Sequence, residues 1–108
     1  MLVVTGEGLG RGDEDLGRRL MLKFVAQVAA LPDKPVTVAF YNTGVKLLVG
    51  GSPVIDVLRA LDQDGVDLIA CGTCVEHFGI RDYLSVGRVS DMREIVAAMA
   101  AADKVLYT

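Results

Sequence analysis

The sequence holds only two cysteines and one histidine, and it has no low-complexity tract, internal repeat or linker-like stretch. Two cysteines separated by two residues close at most a small local loop, which excludes a secreted fold stapled by disulfides. Every apolar stretch meets an Asp, Glu, Lys or Arg well before it reaches the length of a membrane span. The start, Met1 to Val4, lacks the charged lead and longer apolar core of a secretory signal, so the expected location is the cytoplasm. A net charge of -3 with scattered signs leaves no basic stripe, so neither nucleic acid nor a membrane is an expected partner. The glycines at 6, 8, 10 and 12 alternate, so no Gly-x-Gly-x-x-Gly fingerprint forms, and no Gly-Lys-Ser/Thr occurs. Dinucleotide and P-loop chemistry are disfavoured, and no cofactor is expected.

Apolar residues make up 52% of the chain and charged ones 23%, which sets it apart from disordered sequences. A chain of this size buries roughly two-thirds of the surface its unfolded form exposes, and residues 1–108 read as one domain. Met1 to Thr5 predicts a strand ending in the glycine-rich Gly6 to Gly12. Asp13 then predicts an N-cap for a helix with Leu16, Leu20, Phe24 and Val28 along its apolar face, and Glu14 and Asp15 suit the positive end of its dipole. Val36 to Tyr41 predicts a second, buried strand. Val45 to Val49 fits either a short helix or an extended piece, and Leu47, Leu48 and Val49 fit either core or an interface.

Ser52-Pro53 predicts an N-cap and first turn for a helix through Val54, Leu58 and Leu61 to about Gln63. Val66 to Ala70 predicts a third strand, and Val75 to Phe78 a short helix closed by Gly79. Ser85 to Val89 predicts a fourth strand. Ser90 or Asp91 caps a last helix carrying Met92, Ile95, Val96 and Met99, and Lys104 to Tyr107 predicts a fifth strand. Alternating strands and helices imply a parallel sheet covered on both faces, with ligands at the carboxyl ends of its strands.

Three segments fall on that edge: the glycine loop, Asn42-Thr43-Gly44 and Cys71-Gly72-Thr73-Cys74. Cys71, between a strand end and a helix start, meets free backbone N–H groups that favour thiolate over thiol, which makes it the expected nucleophile. The bland alternative is a small buried core residue. Cys74 fits a resolving thiol or a metal ligand. His77 would extend the pair to Cys-x-x-Cys-x-x-His, but a closed zinc site needs four ligands, so no metal is expected. Alternatively, His77 favours the thiolate electrostatically. Gly10, Arg11 and Gly12 suit a small anion, with a plain flexible turn as the alternative. Asn42 and Gly44 are expected to line the same site or simply to form a turn. Asp62, Asp64, Asp67 and Asp82 read as solvated carboxylates.

Gly10-Arg11-Gly12-Asp13, Phe40 to Leu47, Ser52-Pro53-Val54 and Cys71 to Cys74 together resemble the DsrE-like family, most nearly the C-terminal domain of YedF-type proteins linked to selenium metabolism. The resemblance spans nearly the whole chain. It implies a three-layer α/β/α fold around a five-stranded parallel sheet and a homo-oligomer, a trimer or hexamer. It also implies a persulfide on the cysteine after the third strand, with a Gly and an aliphatic residue eight and nine positions later, as Cys71, Gly79 and Ile80 provide. YedF-type proteins carry a preceding TusA-type domain that this sequence lacks. The resulting expectation is a sulfurtransferase-like carrier of sulfur, or of selenium, serving donor and acceptor proteins of the TusA-like kind. Its rivals are a non-catalytic anion- or partner-binding module with structural cysteines, and a Cys/His metal protein.

Overall fold

The computed structural model describes residues 1–108. Five parallel strands, β1 (Leu2–Val4), β2 (Thr37–Phe40), β3 (Asp67–Cys71), β4 (Arg88–Ser90) and β5 (Leu106–Tyr107), lie in the order β4-β3-β2-β1-β5. Between them run α1 (Glu14–Ala30), a 3-10 helix Asn42–Leu48, α2 (Ile55–Gln63), α3 (Gly72–Phe78), a 3-10 turn Arg81–Tyr83 and α4 (Met92–Ala101). The chain steps one way from β1 to β4 and then crosses back to β5. With right-handed crossovers, that reversal places α4 on the face opposite α1 and α2. The result is the expected three-layer α/β/α arrangement.

Strand parity divides the core. Leu2 and Val4, Val38 and Phe40, and Leu68 and Ala70 face α1, α2 and the 3-10 helix in one cluster of nineteen buried residues. Ala39, Ile69 and Cys71 face α4 and join Ile95 in a cluster of four. In the 3-10 helix, Val45, Leu47 and Leu48 belong to the large cluster, so this segment is helical and core-forming.

Several local expectations shift. Asp13 does cap α1, its Oδ1 accepting from the Leu16 N–H at 2.8 Å. However, Leu16 and Leu20 are 48% and 38% exposed, and the buried line is Gly17, Met21, Val25 and Val28. The cause lies outside the helix: Leu9 donates its N–H to the Gly17 carbonyl at 2.9 Å, so the glycine loop folds onto α1 at Gly17 and turns that residue inward. Ser52 caps nothing. Its hydroxyl donates to the Leu47 carbonyl at 2.6 Å, and α2 starts at Ile55 without a side-chain cap. Val36, expected in a buried strand, is 81% exposed and lies just before β2. The fourth strand forms at Arg88–Ser90, displaced from Ser85–Val89 because the segment around Ser85 is tied to the 3-10 helix through Ser85 N–H to Leu48 O at 2.8 Å.

α4 is capped by Asp91, whose Oδ1 accepts from the Glu94 N–H at 2.9 Å. It buries Ile95 fully, while Met92 and Val96 stay 46% and 54% exposed. An ion cluster supplements this thin contact. Arg88 donates to both oxygens of Asp67 at 3.0 and 2.8 Å and to both oxygens of Glu94 at 2.9 and 2.6 Å. Ser90 adds a short hydroxyl bond to Glu94. Bonding to Arg88 and Ser90 brings the Glu94 carboxyl down to about 2, and the Asp67 and then the Glu94 carboxylate push the Arg88 guanidinium further above its ordinary value. Asp67 is thus a structural ion-pair partner, and Asp64 approaches Lys34 at 3.9 Å.

Candidate functional site

β3 ends at Cys71, and the backbone turns there into α3, so the two thiols lie on a strand end and the first helical turn beyond it. α3 is only seven residues long and stops at Gly79, which adopts φ +63°, a left-handed conformation that glycine reaches without a Cβ clash. Cys71 and Cys74 are both free thiols.

Their surroundings differ. Cys71 continues the inward parity of Ile69, packs with Ala39 and Ile95, and is 3% exposed. Its side chain makes no hydrogen bond to the start of α3, contrary to the expectation that free N–H groups there would hold it as thiolate. Cys74 is half-buried and touches both clusters. The Asn42 backbone N–H donates to Cys74 Sγ at 3.0 Å. Burial pushes the Cys74 thiol up, the Asn42 amide opposes this, and the neighbouring Cys71 adds to the rise.

Asn42 owes that aim to its backbone. It is the only non-glycine residue with positive φ, at +52°, and its side-chain oxygen accepts from the Thr43 N–H at 2.9 Å. Asparagine tolerates this region better than most residues. Gly44 completes the turn, because a Cβ there would overlap the Val4 carbonyl oxygen. Gly44 therefore lets the 3-10 helix press against the end of β1, a packing role and not a lining one.

Among the expected site residues, the fold thus brings together Cys71, Cys74 and Asn42, with Gly44 supporting the turn. Gly10, Arg11 and Gly12 are exposed, and Arg11 makes no hydrogen bond or ion pair. No hydrogen bond joins them to the thiols. His77 is exposed and stacks edge-on with Phe78 at 4.9 Å. No group of three His, Cys, Asp or Glu side chains is placed to hold a metal, so the Cys-x-x-Cys-x-x-His reading fails within one chain: the short helix does not fold His77 back onto the thiols.

Two neighbours were not anticipated. Tyr41 packs against the Cys71 cluster, and burial, together with the hydroxyl of Tyr107 as acceptor, keeps its own hydroxyl protonated to higher pH than usual. Lys46 lies over the Phe78 ring at 4.4 Å, one turn beyond Cys74 on α3. A cavity of about 700 Å³ opens at the opposite edge of the sheet, beside Met1, Thr37 and Leu106 at or near the amino ends of their strands, and neither cysteine lines it. Of the two thiols, only Cys74 reaches the surface.

The model of the DsrE/DsrF-like family matches residues 12–108. The chain belongs to the DsrE/DsrF-like family. That family is associated in general with sulfur relay. Solved structures of the same fold include a protein of unknown function from Methanobacterium thermoautotrophicum, at TM-score 0.71 and 20% identity over 99% of this chain and 96% of that one. The ychN protein from E. coli matches at TM-score 0.68 and 20% identity, over 99% and 97% of the two chains. A conserved protein of unknown function from Bacteroides thetaiotaomicron matches at TM-score 0.66 and 17% identity, over 99% and 93%. At these identities the likeness is one of fold. No curated protein sequence matches the chain. No helix of this DsrE/DsrF-like chain is long and apolar enough to cross a membrane.

Proposed function

We propose that this protein is a cytoplasmic sulfur carrier of the YedF-like branch, in which the Cys71/Cys74 pair accepts sulfane sulfur, or selenium, from a donor protein and passes it to an acceptor of the TusA-like kind. The observation that carries the reading is the pairing of two free thiols at the carboxyl edge of a DsrE-type sheet, one of them open to solvent with a backbone N–H on its sulfur. In the transfer step a thiolate of the pair attacks the terminal sulfur of a donor persulfide. The donor S–S bond breaks, an S–S bond forms on the cysteine, and the donor leaves as a thiolate that takes up a proton. Attack by an acceptor thiolate on the outer sulfur then moves that sulfur to the acceptor and frees the cysteine as a thiolate; in a second route, attack by the other thiolate of the pair on the persulfide-bearing cysteine sulfur expels hydrosulfide and leaves a disulfide, which a dithiol reductant returns to two thiols.

A homo-oligomer, trimer or hexamer, is part of this reading. Its support is the apolar surface that α4 and β5 leave open, with Met92, Val96, Leu106 and Tyr107 all between 44% and 56% exposed. Mass spectrometry of reduced protein after exposure to a persulfide donor tests the carrier: one added sulfur on the pair supports it, and an unchanged mass in folded, reduced protein rejects it.

The burial of Cys71 favours a second reading, a binding module whose cysteines are structural. Resistance of both thiols to alkylation in the folded state would select it.

A further inference from the structure

Resting on the carrier reading, with Cys71 as the thiol that takes the sulfur, we propose that Cys74 is a positioning residue. Held by the Asn42 backbone N–H, it donates its own S–H to the Cys71 sulfur and so steadies the thiolate that attacks.

The need for a donor follows from burial. Cys71 is 3% exposed among Ala39, Ile69 and Ile95, and negative charge taken out of water is costly unless a hydrogen bond meets it. Its side chain makes no hydrogen bond to the start of α3, so the donor has to be a neighbouring side chain.

Strand register names the neighbours. Phe40 pairs with Ala70 and Cys71 with Ser90, so Tyr41 and Ser90 flank Cys71 on its own face of the sheet. Tyr41 packs against the Cys71 cluster, but its hydroxyl donates to Tyr107. The Ser90 hydroxyl donates to Glu94. Both protons are committed elsewhere. Cys74 also packs against the Cys71 cluster, and its sulfur accepts the Asn42 N–H at 3.0 Å, which fixes the sulfur and leaves its S–H free to turn to Cys71.

The environment of Cys74 suits a donor. Burial pushes its thiol up, the Asn42 amide opposes this, and hydrogen bonding and charge from Cys71 add to the rise. Asn42 reaches its aim at φ +52°, the one side-chain-bearing residue in the left-handed region, held there by the Thr43 bond and the close approach at Gly44. The turn thus acts on Cys71 through Cys74.

During uptake the Cys71 thiolate attacks the outer sulfur of the donor persulfide, the donor S–S bond breaks and an S–S bond forms on Cys71. The donor leaves as a thiolate and takes up the proton that Cys71 gave up, while Cys74 keeps its own.

Variants with Cys71 as the single thiol test the role: Cys74→Ser keeps a donor, Cys74→Ala removes it, and Cys74→Val removes it while filling the space. Denaturant melts establish that each is folded, ultraviolet absorbance at neutral pH reads the thiolate, and peptide mass spectrometry follows sulfur uptake after brief exposure to glutathione persulfide. Cys74→Ser is expected to gain sulfur on Cys71 at the wild-type initial rate. Cys74→Ala and Cys74→Val should each lose about tenfold, the worth of one hydrogen bond to a charged group, and show less thiolate than Cys74→Ser. Rescue by serine but not by valine separates donation from packing. Alanine and valine variants that match the serine variant in uptake and absorbance overturn the positioning role and leave the carrier intact. The absorbance needs no sulfur donor, so it decides the hydrogen bond even where folded wild type takes up no sulfur, the outcome that rejects the carrier.

Discussion

The two faces of the sheet solve the same covering problem with different means. On one, α1, α2 and the 3-10 helix Asn42–Leu48 interlock nineteen buried residues, including Phe40, Met21 and Leu68. On the other, α4 meets mostly small strand residues, Ala39 and Cys71 beside Ile69, and buries Ile95 as its main anchor. What the thin face lacks in apolar contact it supplements with the Asp67–Arg88–Glu94 cluster, a surface device worth little beside burial. The thiol pair sits where the two layers meet, and Cys74 packs against both clusters. Stability is thus concentrated on one side, while Cys74 lies at the border of the weaker one.

Neighbouring residues of β3 put this asymmetry to the strongest test. Leu68 and Ile69 are each 1% exposed but point to opposite faces. Leu68→Ala is expected to cost about 4 kcal/mol, and Ile69→Ala about 2, since the thin layer can relax around the gap. Equal losses in denaturant melts would break the comparison.

Gly44→Ala forces a Cβ toward the Val4 carbonyl on the thick face, where backbone meets backbone and neither yields easily. A loss of about 1–3 kcal/mol is expected, together with altered alkylation of Cys74 as the Asn42 turn shifts. Unchanged stability and unchanged alkylation would show that the turn does not depend on this close approach.

On the thin face, Asp91→Ala removes the cap of α4 and should cost about 1 kcal/mol, with helix loss visible by circular dichroism. Exchange protection that falls in α4 before α1 would sharpen the contrast between faces; the reverse order would contradict it.

The smallest effect concerns acid. Glu94 titrates near 2 in the fold, below its ordinary value near 4.5, so its contribution is present above the ordinary value and fades as pH falls toward 2. Arg88→Gln should flatten that part of the stability profile, leaving neutral-pH stability within about 1 kcal/mol of wild type. An identical acid profile in wild type and variant would remove the cluster from the account.

Much of this architecture was legible locally. Asp13 and Asp91 announce helix starts, Gly79 a helix end, and the alternation of apolar runs with helical spacing gives a parallel α/β sheet. Legibility failed where a distant segment intervened. Leu16 and Leu20 fit a four-residue stripe as well as Gly17 and Met21 do, and only the fold of Gly8 and Leu9 onto Gly17 turns the second set inward. Ser52 before Pro53 has the form of a cap, but the Leu47 carbonyl takes its hydroxyl first. At the site, Cys71, Cys74 and Asn42 were recognisable as types at a strand end, whereas Tyr41 and Tyr107 become neighbours only through strand order.

The sequence by itself determined the order of the elements and the placing of two thiols at the carboxyl end of β3, because capping, glycine turns and apolar periodicity act over a few residues. Only the tertiary structure decided which thiol is buried, which receives the Asn42 amide from 32 residues away, and which carboxylates Arg88 gathers. Those outcomes depend on strand parity and on contacts between segments far apart in the chain, and the local pattern around each residue carries no record of its eventual neighbours.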